Sequence, residues 1–84
     1  MLRVLYFASV REMVGVGEES VSPPPEVATL EALVDWLAAK SDAHRRAFAD
    51  RARLRAAVDQ EFVDFDAPIA GAREVALFPP VTGG

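Results

Sequence analysis

The residues best suited to chemistry sit at the end of this chain. Phe78 to Gly84 reads FPPVTGG. Pro79 has no N–H to offer a strand ladder, so a preceding strand should stop there. Pro80 pushes Pro79 into an extended conformation. Residues 79–84 then form an arm of about 20 Å reach, stiff at its base and bare at its tip. Val81 and Thr82 carry its last side chains. The Thr82 hydroxyl has no neighbouring base in the sequence to activate it. Gly83 and Gly84 lack a Cβ and fit a channel too narrow for side chains. The remaining group is the Gly84 α-carboxylate, ionised at neutral pH. A carboxylate is a poor electrophile. It becomes an acyl donor once a second enzyme converts it to an acyl-adenylate with ATP, and a sulfur or nitrogen nucleophile can then displace AMP. The expected role is a carrier whose reactive group is Gly84.

Other candidates are weaker. His44 is the single histidine and lies among arginines, so it reads as a surface residue rather than a base. HRRAFADRARLR holds five arginines, but Asp42 and Asp50 interrupt the patch and Phe48 is its only aromatic. A solvated helical face is the expectation, and a net charge of −4 argues against nucleic acid as the main partner. GVG at Gly15–Gly17 is too short for a phosphate loop. PPPE at Pro23–Glu26 reads as a connector. No acidic or histidine cluster has metal-ligand spacing, so no metal site is expected. The chain has no cysteine, which excludes disulfides, a thiolate nucleophile and cysteine metal sites.

The elements that must position the arm can be read from periodicity. With 84 residues the expectation is a single domain: a folded part over residues 1–78 and a tail over residues 79–84. Leu2 to Ala8 reads as a strand with Leu2, Val4 and Tyr6 on one face. SVREMVGVGEES should be a turn or helical stub with a glycine loop. ESVS is a second strand. Thr29 caps a helix whose Leu30, Leu33, Val34, Leu37 and Ala38 form one apolar stripe. Ser41 or Asp42 caps a shorter helix. LRAAV and EFVDF follow as strands, DAPIAGAR as a turn-rich crossing, and EVALF as the final strand feeding the arm. No apolar run approaches the ~20 residues of a membrane helix, and a cytoplasmic location is expected.

A single main helix covers one face of a sheet. If Val4, Tyr6, Val75 and Leu77 lie beneath it, then Leu5, Phe7 and Phe78 face outward. An apolar set of that size suggests a partner surface beside the tail.

FPPVTGG resembles the C-terminal signature of the molybdopterin synthase small-subunit family, which are ubiquitin-like sulfur carriers. The resemblance spans most of the chain. VLYFASVRE (Val4–Glu12) is similar to the family's opening strand, and TLEAL (Thr29–Leu33) to its helix start. AAVDQEFV (Ala56–Val63) is similar to its Ala-Ala-Val-Asn-Gln stretch, with Asp59 in place of the usual Asn. EVALFPPVTGG (Glu74–Gly84) is similar to its end, with Leu77 in place of a common Phe.

The resemblance implies an α+β, ubiquitin-like β-grasp fold: a mixed sheet of about four or five strands packed on one main helix, with a protruding tail. It implies that an E1-like adenylating enzyme uses ATP and Mg²⁺ to adenylate Gly84, and that a persulfide donor yields a thiocarboxylate there. No cofactor would be bound by this chain. The synthase large subunit would receive the tail, in a heterotetramer of paired small and large subunits. Sulfur would pass to cyclic pyranopterin monophosphate, building the dithiolene of molybdopterin. Without cysteine the chain has no side chain to hold sulfur, which suits delivery from the terminus. The catalytic pocket would belong to the large subunit, making this chain a co-substrate. Family correspondence puts Phe7, Arg11 and Phe78 at the partner contact; Leu5 joins them from the outward-facing set, and Phe62 is a further addition. A related carrier for tRNA thiolation, or for another sulfur-transfer or conjugation pathway, shares the same tail chemistry.

Overall fold

Strand alternation at the N-terminus produces β1 (Leu2–Tyr6), in which Leu2, Val4 and Tyr6 are buried and Arg3 is exposed. The computed structural model describes residues 1–80, so Val81, Thr82, Gly83 and Gly84 lie outside the described residues. β1 is shorter than the expected Leu2–Ala8. Ala8 takes φ 51°, a left-handed conformation that turns the chain out of the sheet. Phe7 thereby becomes the N-cap of a helix, α1 (Ala8–Val14), which Gly15 ends at φ 96°. The helical stub expected here is thus a seven-residue helix.

The next strand, β2 (Glu18–Val21), runs back along β1 with Leu2 opposite Val21 and Leu5 opposite Glu18. Helix α2 (Leu30–Ala38) begins at Thr29, whose hydroxyl accepts from the Ala32 N–H at 3.2 Å. Its first free amides donate to the Ala67 and Phe65 carbonyls, tying the helix start to the later crossing loop. Leu30, Leu33, Val34 and Leu37 are all fully buried, each contributing about 1.5–3 kcal/mol of transfer free energy. Ser41 caps α3 (Asp42–Ala47), accepting from the His44 N–H at 3.1 Å.

After a 3-10 turn (Arg51–Arg53) come β3 (Arg55–Val58) and β4 (Glu61–Val63). Their two-residue loop, Asp59 and Gln60, has positive φ at both positions, as a type I′ hairpin turn requires. The Asp59 carboxylate accepts from the N–H groups of Arg73 and Glu74 at 2.9 and 3.0 Å. That pair fastens the hairpin tip to the entry of β5 (Glu74–Phe78).

The sheet order is β2-β1-β5-β3-β4. β5 runs parallel to β1 and antiparallel to β3, so the sheet is mixed and the last strand lies at its centre. One face, carrying Val4, Tyr6, Ala56, Val75 and Leu77, joins Val10, the α2 stripe, Phe48 and Leu54 in one core. This is the five-stranded version of the expected α+β architecture, with two short helices beside the main one.

Candidate functional site

β5 delivers the chain to the site. Val75 and Leu77 point into the core, so Ala76 and Phe78 face the other way. The register places Leu5, Ala76, Ala57 and Phe62 in one row across β1, β5, β3 and β4. Their small central members leave a shallow apolar strip. Phe62 is 85% exposed, and its ring centroid is 5.8 Å from that of Phe78. Phe7 is 48% exposed where β1 ends beside β5, its N–H donating to the Leu77 carbonyl at 3.1 Å. Leu5 and Phe78 are half-buried. Phe7, Phe78, Phe62 and Leu5 therefore share the sheet surface that runs up to the tail. Phe62 and Phe78 also line a shallow cleft with Arg55, Val63 and Asp64.

Arg11 lies on α1, at the same end of β1. A Cβ placed on Gly17 would come within 3.3 Å of the Arg11 guanidinium, which lies over that glycine. A side chain at position 17 would displace it. Pro79 and Pro80, the base of the arm, are half-buried against a groove lined by Val10 and Met13 of α1 and by Arg46, Ala47, Ala49, Asp50 and Arg53. The proline pair is thus flanked on one side by the apolar sheet strip and on the other by two helices. Val81, Thr82, Gly83 and Gly84, which carry the remaining tail expectations, lie outside the described residues.

A second polar constellation escaped the sequence reading. His44 is 8% exposed, not a surface residue. Its Nε2 lies 2.6 Å from Glu19 Oε2 and its Nδ1 2.7 Å from Ser41 Oγ. The Tyr6 hydroxyl donates to the same Glu19 oxygen at 2.7 Å. The Tyr6 and Phe48 rings pack beside the imidazole, each about 6 Å away between centroids. Burial pushes the Tyr6 hydroxyl far above the usual phenol range, reinforced by its bond to Glu19 and by that carboxylate's charge. Burial works against ionisation of Glu19 too, but the bonds from His44 and Tyr6 and the charges of His44 and Lys40 outweigh it. The Glu19 carboxyl is held below its ordinary range. The cluster pins α3 to β1 and β2. His44 belongs to α3, the helix whose Arg46 and Ala47 line the groove at Pro79 and Pro80, so the cluster holds up the helical wall of the tail's base. The sequence signal was the Ser41-x-x-His44 cap spacing together with His44 and Phe48 at i, i+4.

Among the described residues no group of three or more His, Asp or Glu is placed to hold a metal ion. None of their helices is long and apolar enough to cross a membrane.

The ThiS family model matches residues 4–84. The molybdopterin synthase sulfur carrier subunit of Escherichia coli K12 is 48% identical over 84 residues, covering all of both chains. That of Haemophilus influenzae is 37% identical, again over the full length of both. Among solved structures, the crystal structure of SAMP1 from Haloferax volcanii superposes with a TM-score of 0.76 at 27% identity, covering 99% of this chain and 98% of that one.

Proposed function

The chain belongs to the ThiS family, and from that premise we propose that it is the sulfur-carrier subunit of a molybdopterin synthase, delivering sulfur from Gly84. The observation that carries the reading is the end-to-end likeness to curated sulfur carrier subunits. The geometry supports it: a central strand runs directly into a proline pair, beside an exposed apolar strip that includes Phe7, Phe62 and Phe78.

In this reading the Gly84 carboxylate attacks the α-phosphorus of ATP on an E1-like adenylating enzyme, and pyrophosphate leaves. ATP and Mg²⁺ belong to that enzyme. The terminal sulfur of a persulfide donor then displaces AMP from the acyl carbon. A thiol cuts the resulting S–S bond, leaving a thiocarboxylate on Gly84. A thiocarboxylate is a soft sulfur nucleophile, as a thiolate is. The folded part supplies positioning. Pro79 and Pro80 set the direction of the arm, and Gly83 and Gly84 let it pass through a narrow channel. Leu5, Phe7, Phe62 and Phe78, with Arg11, dock the large subunit, whose pocket completes the reaction on cyclic pyranopterin monophosphate.

The test is a single-turnover reconstitution. The chain is converted to the Gly84 thiocarboxylate, verified by intact mass, and mixed with a molybdopterin synthase large subunit and cyclic pyranopterin monophosphate. Dithiolene product is expected from the thiocarboxylate, with none from the carboxylate form. A verified thiocarboxylate that yields no dithiolene, with a large subunit active toward another carrier, refutes the molybdopterin assignment. A chain lacking Gly84 should bind the large subunit and transfer nothing.

A further inference from the structure

The base of the tail carries a feature that the apolar strip does not explain. Pro79 and Pro80 line a groove together with Arg46 and Arg53. Both arginines are exposed, and neither makes an ion pair with any described residue. The other arginines of this region are occupied. Arg45 pairs with Asp42, and Arg51 with Asp35. Arg55, opposite Phe78 in the β3–β5 register, donates to the Ala52 and Leu54 carbonyls. The groove's one carboxylate, Asp50, accepts from the Ala52 N–H at 3.1 Å as the cap of the 3-10 turn. Two guanidiniums with no ion-pair partner among the described residues therefore line the root of the arm in a chain whose net charge is −4.

Any protein that swallows the arm must seat the rim of its channel on the residues around Pro79 and Pro80. Unpaired guanidiniums there favour carboxylates on that rim, because burying them unpaired is costly. The apolar strip lies on the sheet side of the root and the arginines on the helical side. We propose that Arg46 and Arg53 are a second docking zone for the synthase large subunit, recognising an acidic rim around its tail channel. This rests on the carrier reading. Charged rim contacts of this kind act on the association rate more than on the lifetime of the complex.

Stopped-flow association of the full chain with the large subunit tests it, using Arg46→Gln/Arg53→Gln and, separately, Phe62→Ala. Neither arginine side chain makes a hydrogen bond or an ion pair among the described residues, and circular dichroism checks the fold of each variant. At about 50 mM salt the double variant should associate about tenfold more slowly than the unaltered chain, and at about 0.5 M the two should converge. Its dissociation rate should be unchanged. Phe62→Ala should instead speed dissociation. If the double variant associates as fast as the unaltered chain at low salt while Phe62→Ala still weakens binding, the acidic-rim proposal is wrong and the carrier reading stands. If the salt-sensitive loss appears only with the adenylating enzyme, the assignment to the large subunit is wrong. If the unaltered chain does not associate at all with a large subunit that binds another carrier, both fall together.

Discussion

Removing the Glu19 carboxylate should destabilise the fold by an amount the geometry sets. Glu19 Oε2 alone accepts both the Tyr6 hydroxyl and His44 Nε2, and both partners are buried. Glu19→Ala strands two donors at once. Each unsatisfied buried donor costs about 1–3 kcal/mol, and water entering at the half-buried edge strand recovers part, so about 2–4 kcal/mol is expected. In a domain of this size that lowers the melting temperature by roughly 10–25 °C. Glu19→Gln keeps an oxygen at the same place and should lose only the charge assistance, about 1 kcal/mol. The two variants separate geometry from charge. The Glu19 carboxyl titrates lower in the folded chain than its ordinary range, so its stabilisation is present above the unfolded value of about 4.3 and is lost as pH falls through the folded value. The gap between the unaltered chain and Glu19→Gln should therefore be full at pH 7 and close on acidification below about pH 4. Urea unfolding followed by the single tryptophan, Trp36, reads all three proteins. A Glu19→Ala cost below about 0.5 kcal/mol, or a Glu19→Gln gap that widens as pH falls, would refute the reasoning.

Three further outcomes are expected. Phe62→Ala should leave stability within about 0.5 kcal/mol, since the ring is 85% exposed, while weakening large-subunit binding at least tenfold by isothermal titration, as truncating a buried interface aromatic does. Asp59→Asn should be tolerated within about 0.5 kcal/mol, because Asn accepts positive φ and keeps an oxygen for the Arg73 and Glu74 amides; Asp59→Ala, which frees both amides, should cost about 1–3 kcal/mol in the same unfolding assay. Ala8→Gly should raise stability by about 0.5–1 kcal/mol by relieving a left-handed alanine at φ 51°, and a loss of stability in urea unfolding would show that the strain is absent.

The parts of the fold that obey a local period were legible in the sequence. Leu2, Val4 and Tyr6 alternate, the α2 stripe repeats at helical spacing behind a Thr cap, and Val75 and Leu77 repeat the alternation before the prolines. The apolar outward set followed from arithmetic: one main helix, two faces, and too many large side chains. What escaped depends on distant partners. His44 is buried because Glu19, 25 residues earlier on an edge strand, lies within hydrogen-bond reach. α3 has only six residues, too few to show a stripe. The early end of β1 turns on the backbone of Ala8, and nothing in the side chain of an alanine advertises a left-handed conformation. Arg46 and Arg53 were visible only as members of a basic run; pairing and backbone contacts elsewhere in that run single them out.

The central place of β5 has a mechanical consequence. Force applied along the arm enters the sheet through Phe78, in a strand hydrogen-bonded on both edges, to β1 over Glu74–Leu77 and to β3 over Val75–Phe78. The pull runs along the strand while the ladder bonds lie across it, so they share the load in shear rather than parting one by one. An edge strand pulled outward would peel. Under the proposed carrier role, a pull on the tail would therefore be borne by the one strand flanked by β1 on one side and β3 on the other.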